Sequence, residues 1–181
     1  LGNLYSENGK YDNAEDIFRR FDQKYGINET STVASIKNLM GARKYDEAMV
    51  KTNLLLKEFP DEILYNGFLA EIYHAKGEND KATNVYKELL IKNPDEPAIQ
   101  ISYCDFLINS GNYRELFTFL NKILLNENII REEKISMMGR IIENTEIVNE
   151  YSNNIQVALM VLEADNVNDD SLEFPCAGSN K

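Results

Sequence analysis

The hexapeptide Gly9-Lys10-Tyr11-Asp12-Asn13-Ala14 returns in varied form three times along this chain of 181 residues. The later copies read RKYDEA at 43–48, GENDKA at 77–82 and GNYREL at 111–116. The copies end at residues that lie a constant 34 positions apart, namely Ala14, Ala48, Ala82 and Leu116. Four copies at one interval indicate internal repeats, because a fixed period of about 20–50 residues is typical of stacked supersecondary units.

Apolar residues keep the same register around each copy. Phe18 and Phe21 lie four and seven positions after Ala14, and the later copies have mostly apolar residues at the same offsets. These spacings place side chains on one face of an α-helix. Twelve positions after each copy, a residue of a kind that ends helices or favours turns follows: Gly26, Pro60, Pro94 or Asn128. Each unit is therefore predicted to be a helix, a short turn, a second helix and a break.

The pattern resembles the tetratricopeptide repeat, a unit of 34 residues with Leu-Gly-x-x-Tyr followed by Ala, Phe, Ala and Pro at fixed offsets. In the first unit the matching residues are Leu1, Gly2, Tyr5, Ala14 and Phe18, and in the third they are Leu69, Ala70, Tyr73, Ala82, Tyr86 and Pro94. The early Trp of the consensus is absent, and Thr52 replaces an aromatic residue. The resemblance implies an all-α fold, a right-handed solenoid of stacked helix-turn-helix repeats.

The period divides the chain into units. We expect repeats at about 1–28, 29–62, 63–96 and 97–130, and a divergent repeat at 131–166. In the divergent repeat, a long first helix is predicted at 131–146 and a second at about 151–164, and the inward residues of the first are Ile135, Met138, Ile141 and Ile142. Residues 167–181 lack helical periodicity and are predicted to be a polar tail or a truncated further repeat. Because the first residue is Leu1 and not Met, we expect either a mature product or a fragment of a longer chain. Leu1 falls at the seventh position of its repeat, which favours the expectation that further repeats once preceded it.

Charge and composition exclude several classes of partner. The chain has 19 basic and 30 acidic side chains, a formal net charge of −11. Nucleic acid is not expected as a partner, because phosphate backbones require clustered Lys and Arg. No stretch approaches the roughly 18 consecutive apolar residues of a spanning helix, so no direct membrane insertion is predicted. The two cysteines, Cys104 and Cys176, are too few for a disulfide framework.

The side chains that carry most enzyme chemistry are scarce. His74 is the single histidine, which excludes His-rich metal sites. Cys104 stands where the resembled repeat has Gly or Ala, so we expect a small buried hydrophobe. The acidic run at 165–170 lacks the Gly and Glu of a calcium loop. No phosphate-binding Gly-rich loop or Ser-x-x-Lys motif occurs. We therefore expect no enzyme, no cofactor and no metal.

The resemblance implies a concave groove lined by the first helix of each pair. Its positions carry over to Asn3, Ser6, Glu7, Thr30, Val33 and Ala98, and to the residues predicted to bind a partner: Lys37, Met40, Leu64, Glu71, His74, Ile101, Asp105, Ile108 and Asn109. The clamp that some family members use for a terminal carboxylate is not supported, because Ala34 and Leu64 stand where Asn and Lys are needed.

These features predict a protein-interaction scaffold whose groove binds a peptide or partner helix. The acidic residues favour a protein partner with basic residues. The alternative is a structural spacer or assembly subunit that contacts partners, including copies of itself, through its terminal helices. A third alternative is an accessory domain of an enzyme with a longer chain. The groove residues are also open to a simpler interpretation, as scattered surface apolar side chains of the kind that most proteins have.

Overall fold

The computed structural model describes the backbone of residues 1–170 and the side chains of residues 1–164. This part of the chain contains ten α-helices and no strand, which confirms the predicted all-α repeat solenoid as the fold class. The helices are α1 (Gly2–Glu7), α2 (Tyr11–Tyr25), α3 (Glu29–Gly41), α4 (Tyr45–Glu58), α5 (Ile63–Ala75), α6 (Asn79–Lys92), α7 (Pro97–Asn109), α8 (Tyr113–Leu124), α9 (Arg131–Glu143) and α10 (Thr145–Asp170).

The helices form two compact units, Leu1–Pro94 and Asp95–Lys181. In the first unit each helix packs against the next one along the chain, and α1 also contacts α3. In the second unit α7 packs against α8 and α9, and α10 packs against α8 and α9. The first helices of successive pairs are also in contact, α1 with α3 in the first unit and α7 with α9 in the second. Residues on the shared side of these first helices therefore lie next to each other.

Small residues allow the two helices of each of the first three pairs to approach closely. Ala14, Ala48 and Ala82 are fully buried, and so is Leu116, which holds the same register position in the fourth pair. Ala48 forms a core cluster with Leu39 and Ile72. The residues that end the four copies of the hexapeptide are therefore buried between helices, whereas the periodic residue Phe21 is 43% exposed.

The contact between the first and second pairs contains a polar cluster, a feature that the periodicity did not predict. The Ser35 hydroxyl of α3 lies 2.8 and 2.9 Å from the two carboxylate oxygens of Glu15 of α2. The Asn38 amide donates to the Tyr11 carbonyl at 3.0 Å and to Glu15 at 3.3 Å, and Lys51 pairs with Glu15 at 3.4 Å. Ser35 and Asn38 are both buried, and these hydrogen bonds offset the cost of removing the Ser35 hydroxyl and the Asn38 amide nitrogen from water. Within the described residues, the buried Oδ1 atom of Asn38 has no hydrogen-bond partner.

The divergent unit differs from the expectation in two ways. Met138 and Ile141 are buried as expected, but Ile135 and Ile142 are exposed, because α9 packs through a face that includes Lys134 and Met137. The prediction that Ile135 and Ile142 face the core was therefore wrong.

The last described helix, α10, breaks near the predicted start of the second helix of this repeat and ends later than predicted. α10 runs from Thr145, but its backbone leaves helical geometry at Tyr151, with φ −119° and ψ 26°, so a separate helical segment follows Tyr151 close to the expected start at about 151. The Tyr151 ring stacks on Phe117 of α8 at 5.1 Å, a contact that positions this irregular residue. The helix continues to Asp170, so the chain is still helical beyond residue 166, and the rest of the predicted tail lies outside the described residues, as does Cys176.

Candidate functional site

A cavity of about 370 Å³ lies on the first-helix side of the first unit, between α1 and α3. We call it the α1–α3 cavity, and its lining residues are Asn3, Ser6, Glu7, Thr30, Val33, Ala34 and Lys37. Thr30, Val33 and Lys37 are spaced by three and four residues, so α3 presents one stripe to the cavity. Except for Ala34, every lining residue is a position that the resemblance assigned to the groove. The cavity thus brings together groove positions from two different helices.

The start of α3 is fixed by a reciprocal cap. The Asn28 side chain accepts a hydrogen bond from the Ser31 backbone N–H at 3.0 Å, and the Ser31 hydroxyl accepts one from the Asn28 N–H at 3.4 Å. The Thr32 hydroxyl donates to the Asn28 carbonyl at 2.9 Å. Such a capping box satisfies backbone groups that the first turn leaves unpaired. It therefore fixes where the helix begins and which residues, Thr30 among them, face the cavity.

Lys37 connects the cavity to α5. Its ammonium lies 6.0 Å from the centroid of the Phe68 ring, within reach of a cation–π contact. Burial raises the pKa of the Glu71 carboxyl, an effect that the nearby Lys37 ammonium opposes. An approaching ligand therefore meets a positive and a negative side chain on neighbouring helices. Phe68 was not among the predicted residues.

The other predicted residues of the first unit are less uniform. Met40 is half-buried and packs against the core cluster of Ile36, Leu55, Tyr65 and Phe68 and against that of Leu39, Ala48 and Ile72. Leu64 is exposed. His74 is half-buried, and its Nδ1 atom lies 2.8 Å from the Asn79 side-chain oxygen. The structure thus places Met40 mainly in the packing between helices, and Leu64 and His74 nearer the surface.

The second unit carries the remaining predicted residues on α7. Ile101 and Ile108 are half-buried and Asn109 is exposed. The Asp105 carboxylate is paired with the Arg140 guanidinium of α9 at 2.8 Å. Arg140 was not predicted, because it lies in the divergent repeat, where the 34-residue register gives no alignment. The packing of α9 against α7 is the signal that identifies it.

The residue types that most often act as nucleophiles or metal ligands show no arrangement for such chemistry in the described part of the chain. Burial, together with the neighbouring Asp105 charge, raises the pKa of the Cys104 thiol to about 12, so it stays protonated at neutral pH. Burial and a hydrogen bond to Glu115 likewise raise the pKa of Tyr103. Among the described residues, no group of three or more His, Cys, Asp or Glu side chains is placed to hold a metal ion. The helices in that part of the chain are also too short or too polar to cross a membrane.

Comparison with known proteins agrees with the repeat pattern. A family model described as tetratricopeptide repeat matches residues 1–21 and 67–98. The chain matches none of the curated protein sequences. Among solved structures it is similar to "MamA MSR-1 C2", with a TM-score of 0.52 and 13% identity over 91% of this chain and 94% of that one. At that identity the likeness concerns the fold alone.

Proposed function

We propose that this tetratricopeptide-repeat protein is a non-enzymatic scaffold that binds a segment of a protein partner on the first-helix side of its first unit. The observation that carries the proposal is the α1–α3 cavity, which gathers residues of two helices around about 370 Å³ of open space. Repeat arrays generally bind partners through surfaces to which several repeats contribute. Lys37, Leu64, Glu71 and His74 would extend the contact along α3 and α5.

The lining chemistry favours a peptide over a small metabolite. Val33 and Ala34 offer methyl groups, and Asn3, Ser6 and Thr30 offer hydrogen-bonding groups. Glu7 and Lys37 add one negative and one positive charge. A backbone with alternating polar and apolar side chains can satisfy such a mixture. One segment on a surface of this size is expected to bind with a dissociation constant in the micromolar range or weaker. The binding free energy is then roughly −8 kcal/mol or less negative, because ordering the segment costs free energy.

The excess of acidic residues favours a partner with basic residues. A net charge of −11 attracts such a segment at long range. The association rate should then fall as salt is added, because counterions screen the attraction between exposed charges that are more than about 8–10 Å apart at physiological salt. On α7 of the second unit, Ile101, Ile108 and Asn109 form a separate candidate surface, on which the Asp105–Arg140 pair already neutralises the acid.

Binding through the terminal helices is the second candidate function. Its support is that Leu4 of α1 and Met160 of α10 are large apolar side chains exposed to solvent. Under this alternative the cavity residues have no role in partner binding, and substitutions at Leu4 or Met160 remove the partners.

Quantitative affinity capture from cells of the source organism tests the proposal. Bait carrying Thr30→Glu and Lys37→Glu is compared with wild type and with a matched control, Lys10→Glu and Thr118→Glu, which makes the same changes at exposed positions elsewhere. We expect the cavity variant to lose specific partners and the control to keep them. Equal recovery by both variants, with loss on Leu4→Glu or Met160→Glu, would favour the terminal-helix alternative.

A further inference from the structure

A second cavity lies at a different edge of the first unit. It has a volume of about 520 Å³ and lies between the α2–α3 connection, the first turns of α3 and the end of α4. Ile27, Leu54 and Phe59 line it, and their exposed fractions are 82%, 60% and 45%. We call these three residues the apolar edge. None of them lines the α1–α3 cavity.

The repeat itself shows that the fold does not require apolar residues at these positions. In the two connections that follow, the counterparts of Ile27 are Asp61 and Asp95. The counterparts of Leu54 are charged in the first, third and fourth repeats: Arg20, Glu88 and Lys122. Those of Phe59 are polar in the two repeats that follow: Asn93 and Glu127. The chain thus places three large apolar side chains around one cavity, where the following repeat carries polar ones. Elsewhere in the array, Tyr25 is the counterpart of Phe59 and Ile129 is the counterpart of Ile27.

On one side of this cavity, Phe59 packs against a buried tyrosine. The Phe59 ring packs edge-on against Tyr65, with ring centroids 6.2 Å apart. Tyr65 is buried, and its hydroxyl donates to the Glu29 carboxylate, which lies on the rim. Pockets that are formed before binding avoid the entropic cost of ordering their own side chains.

We propose that the apolar edge is a docking surface for a protein segment that inserts a large apolar side chain and carries Lys or Arg beside it. The cavity volume lies within the range of about 300–1,000 Å³ that is usual for ligand pockets. The basic residue is inferred from the rim, where Glu29 and Glu58 outnumber Lys57. Charge complementarity of this kind selects partners and speeds their encounter. The surface is independent of the α1–α3 cavity, so one scaffold can hold two segments at once.

Selection of peptides from a displayed library of random 12-residue sequences tests the proposal on the whole chain. The test variant is Ile27→Asp, Leu54→Glu and Phe59→Asn, which introduces residues that the following repeat carries. Phe59 and Asn93 have nearly identical backbone angles, φ −129° and −132° with ψ 71° at both, so the exchange fits the helix end. The control is Ile91→Lys, at an Ile that is 80% exposed, does not line the cavity and has Lys57 as its counterpart.

We expect wild type to enrich peptides that combine a large apolar residue with Lys or Arg. Labelled copies of these peptides should bind the triple variant at least about tenfold more weakly, because apolar anchors carry most of the binding energy at such sites. Their affinity for Ile91→Lys and for Thr30→Glu/Lys37→Glu should stay within about twofold of wild type. Circular dichroism of the triple variant checks that its helices persist.

Three results would overturn the proposal. The first is a selection without enrichment of the apolar and basic combination. The second is a set of enriched peptides that bind the folded triple variant as tightly as wild type, or whose affinity falls only for the Thr30→Glu/Lys37→Glu variant of the α1–α3 cavity. The third is a wild-type dimer in sedimentation that the triple variant lacks, because a second copy of the chain would then cover the apolar edge. Failure of the α1–α3 cavity to bind a partner would leave these results unchanged.

Discussion

Arg43 adopts a φ of 59°, the left-handed conformation that Gly77 adopts, with a φ of 77°, at the equivalent turn one repeat later. Gly9 and Gly111 have positive φ at the other two turns, so three of the four repeats meet the same backbone demand with glycine. A side chain with a Cβ is disfavoured in this region because the Cβ approaches the carbonyl oxygen. The second repeat therefore carries strain at Arg43 that the others avoid.

Arg43→Gly should stabilise the protein. Removing the Cβ relieves about 1–2 kcal/mol of left-handed strain, and the added freedom of glycine in the unfolded chain costs about 0.5–1 kcal/mol. The free energy of unfolding should therefore rise by up to about 1.5 kcal/mol in a urea titration. The reciprocal change, Gly77→Ala, should lower it, and a drop in stability on Arg43→Gly would contradict the strain.

Tyr65 should make stability depend on pH in the alkaline range. Burial and the hydrogen bond to Glu29 raise the pKa of Tyr65 to about 12, whereas an unfolded Tyr titrates near pH 10. A group with a raised folded pKa stabilises the protein fully below pH 10 and loses that contribution between pH 10 and 12. The stability difference between wild type and Tyr65→Phe should therefore shrink across this window in denaturant titrations. A constant difference would mean that Tyr65 titrates normally.

Ala48 should not tolerate a larger side chain. It is fully buried in contact with Leu39 and Ile72, so Ala48→Leu should overpack the crossing and cost about 1–3 kcal/mol. Ala75→Leu, the same exchange at an exposed position, is the control. If thermal unfolding midpoints of the two variants coincide, Ala48 does not occupy a tight crossing.

Cys104 should be unreactive in the folded protein. Its thiol is buried and its pKa is raised to about 12, so little thiolate is present at pH 8. In a Cys176→Ser background, a thiol-specific reagent should modify Cys104 only as fast as the protein unfolds. Rapid modification under native conditions would show that Cys104 is accessible and would reopen a chemical role for it.

The repeat period determined most of the fold, because Ala14, Ala48 and Ala82 recur at positions where two helices touch. Its failure at Ile135 and Ile142 has a physical cause. Periodicity identifies an apolar stripe, but the buried part of that stripe depends on which neighbouring helices cover it. In the divergent repeat, the buried face of α9 depends on α7 and α10, which pack against it and whose placement the sequence pattern did not specify.

The candidate site was less accessible to sequence reasoning. Family register placed Thr30 and Lys37 on the first-helix side, but the Lys37–Phe68 contact and the Asp105–Arg140 pair join helices that are distant in sequence. Met40 shows the converse difficulty, because one half-buried residue packs against two core clusters while holding a groove position. The apolar edge was not predicted, because Ile27, Leu54 and Phe59 are far apart in the repeat and only the structure joins them around one cavity.

The most decisive measurement for partner binding is a methyl NMR titration with the binding segment of a captured partner, added as a synthetic peptide. The methyl groups of Thr30, Val33 and Ala34 report on the α1–α3 cavity, and those of Leu4 and Met160 report on the terminal helices. If the cavity binds the segment, the first group should shift in a saturable manner while Leu4 and Met160 remain unchanged. Saturable shifts at Leu4 or Met160, with the cavity methyl groups unmoved, would contradict binding on the first-helix side.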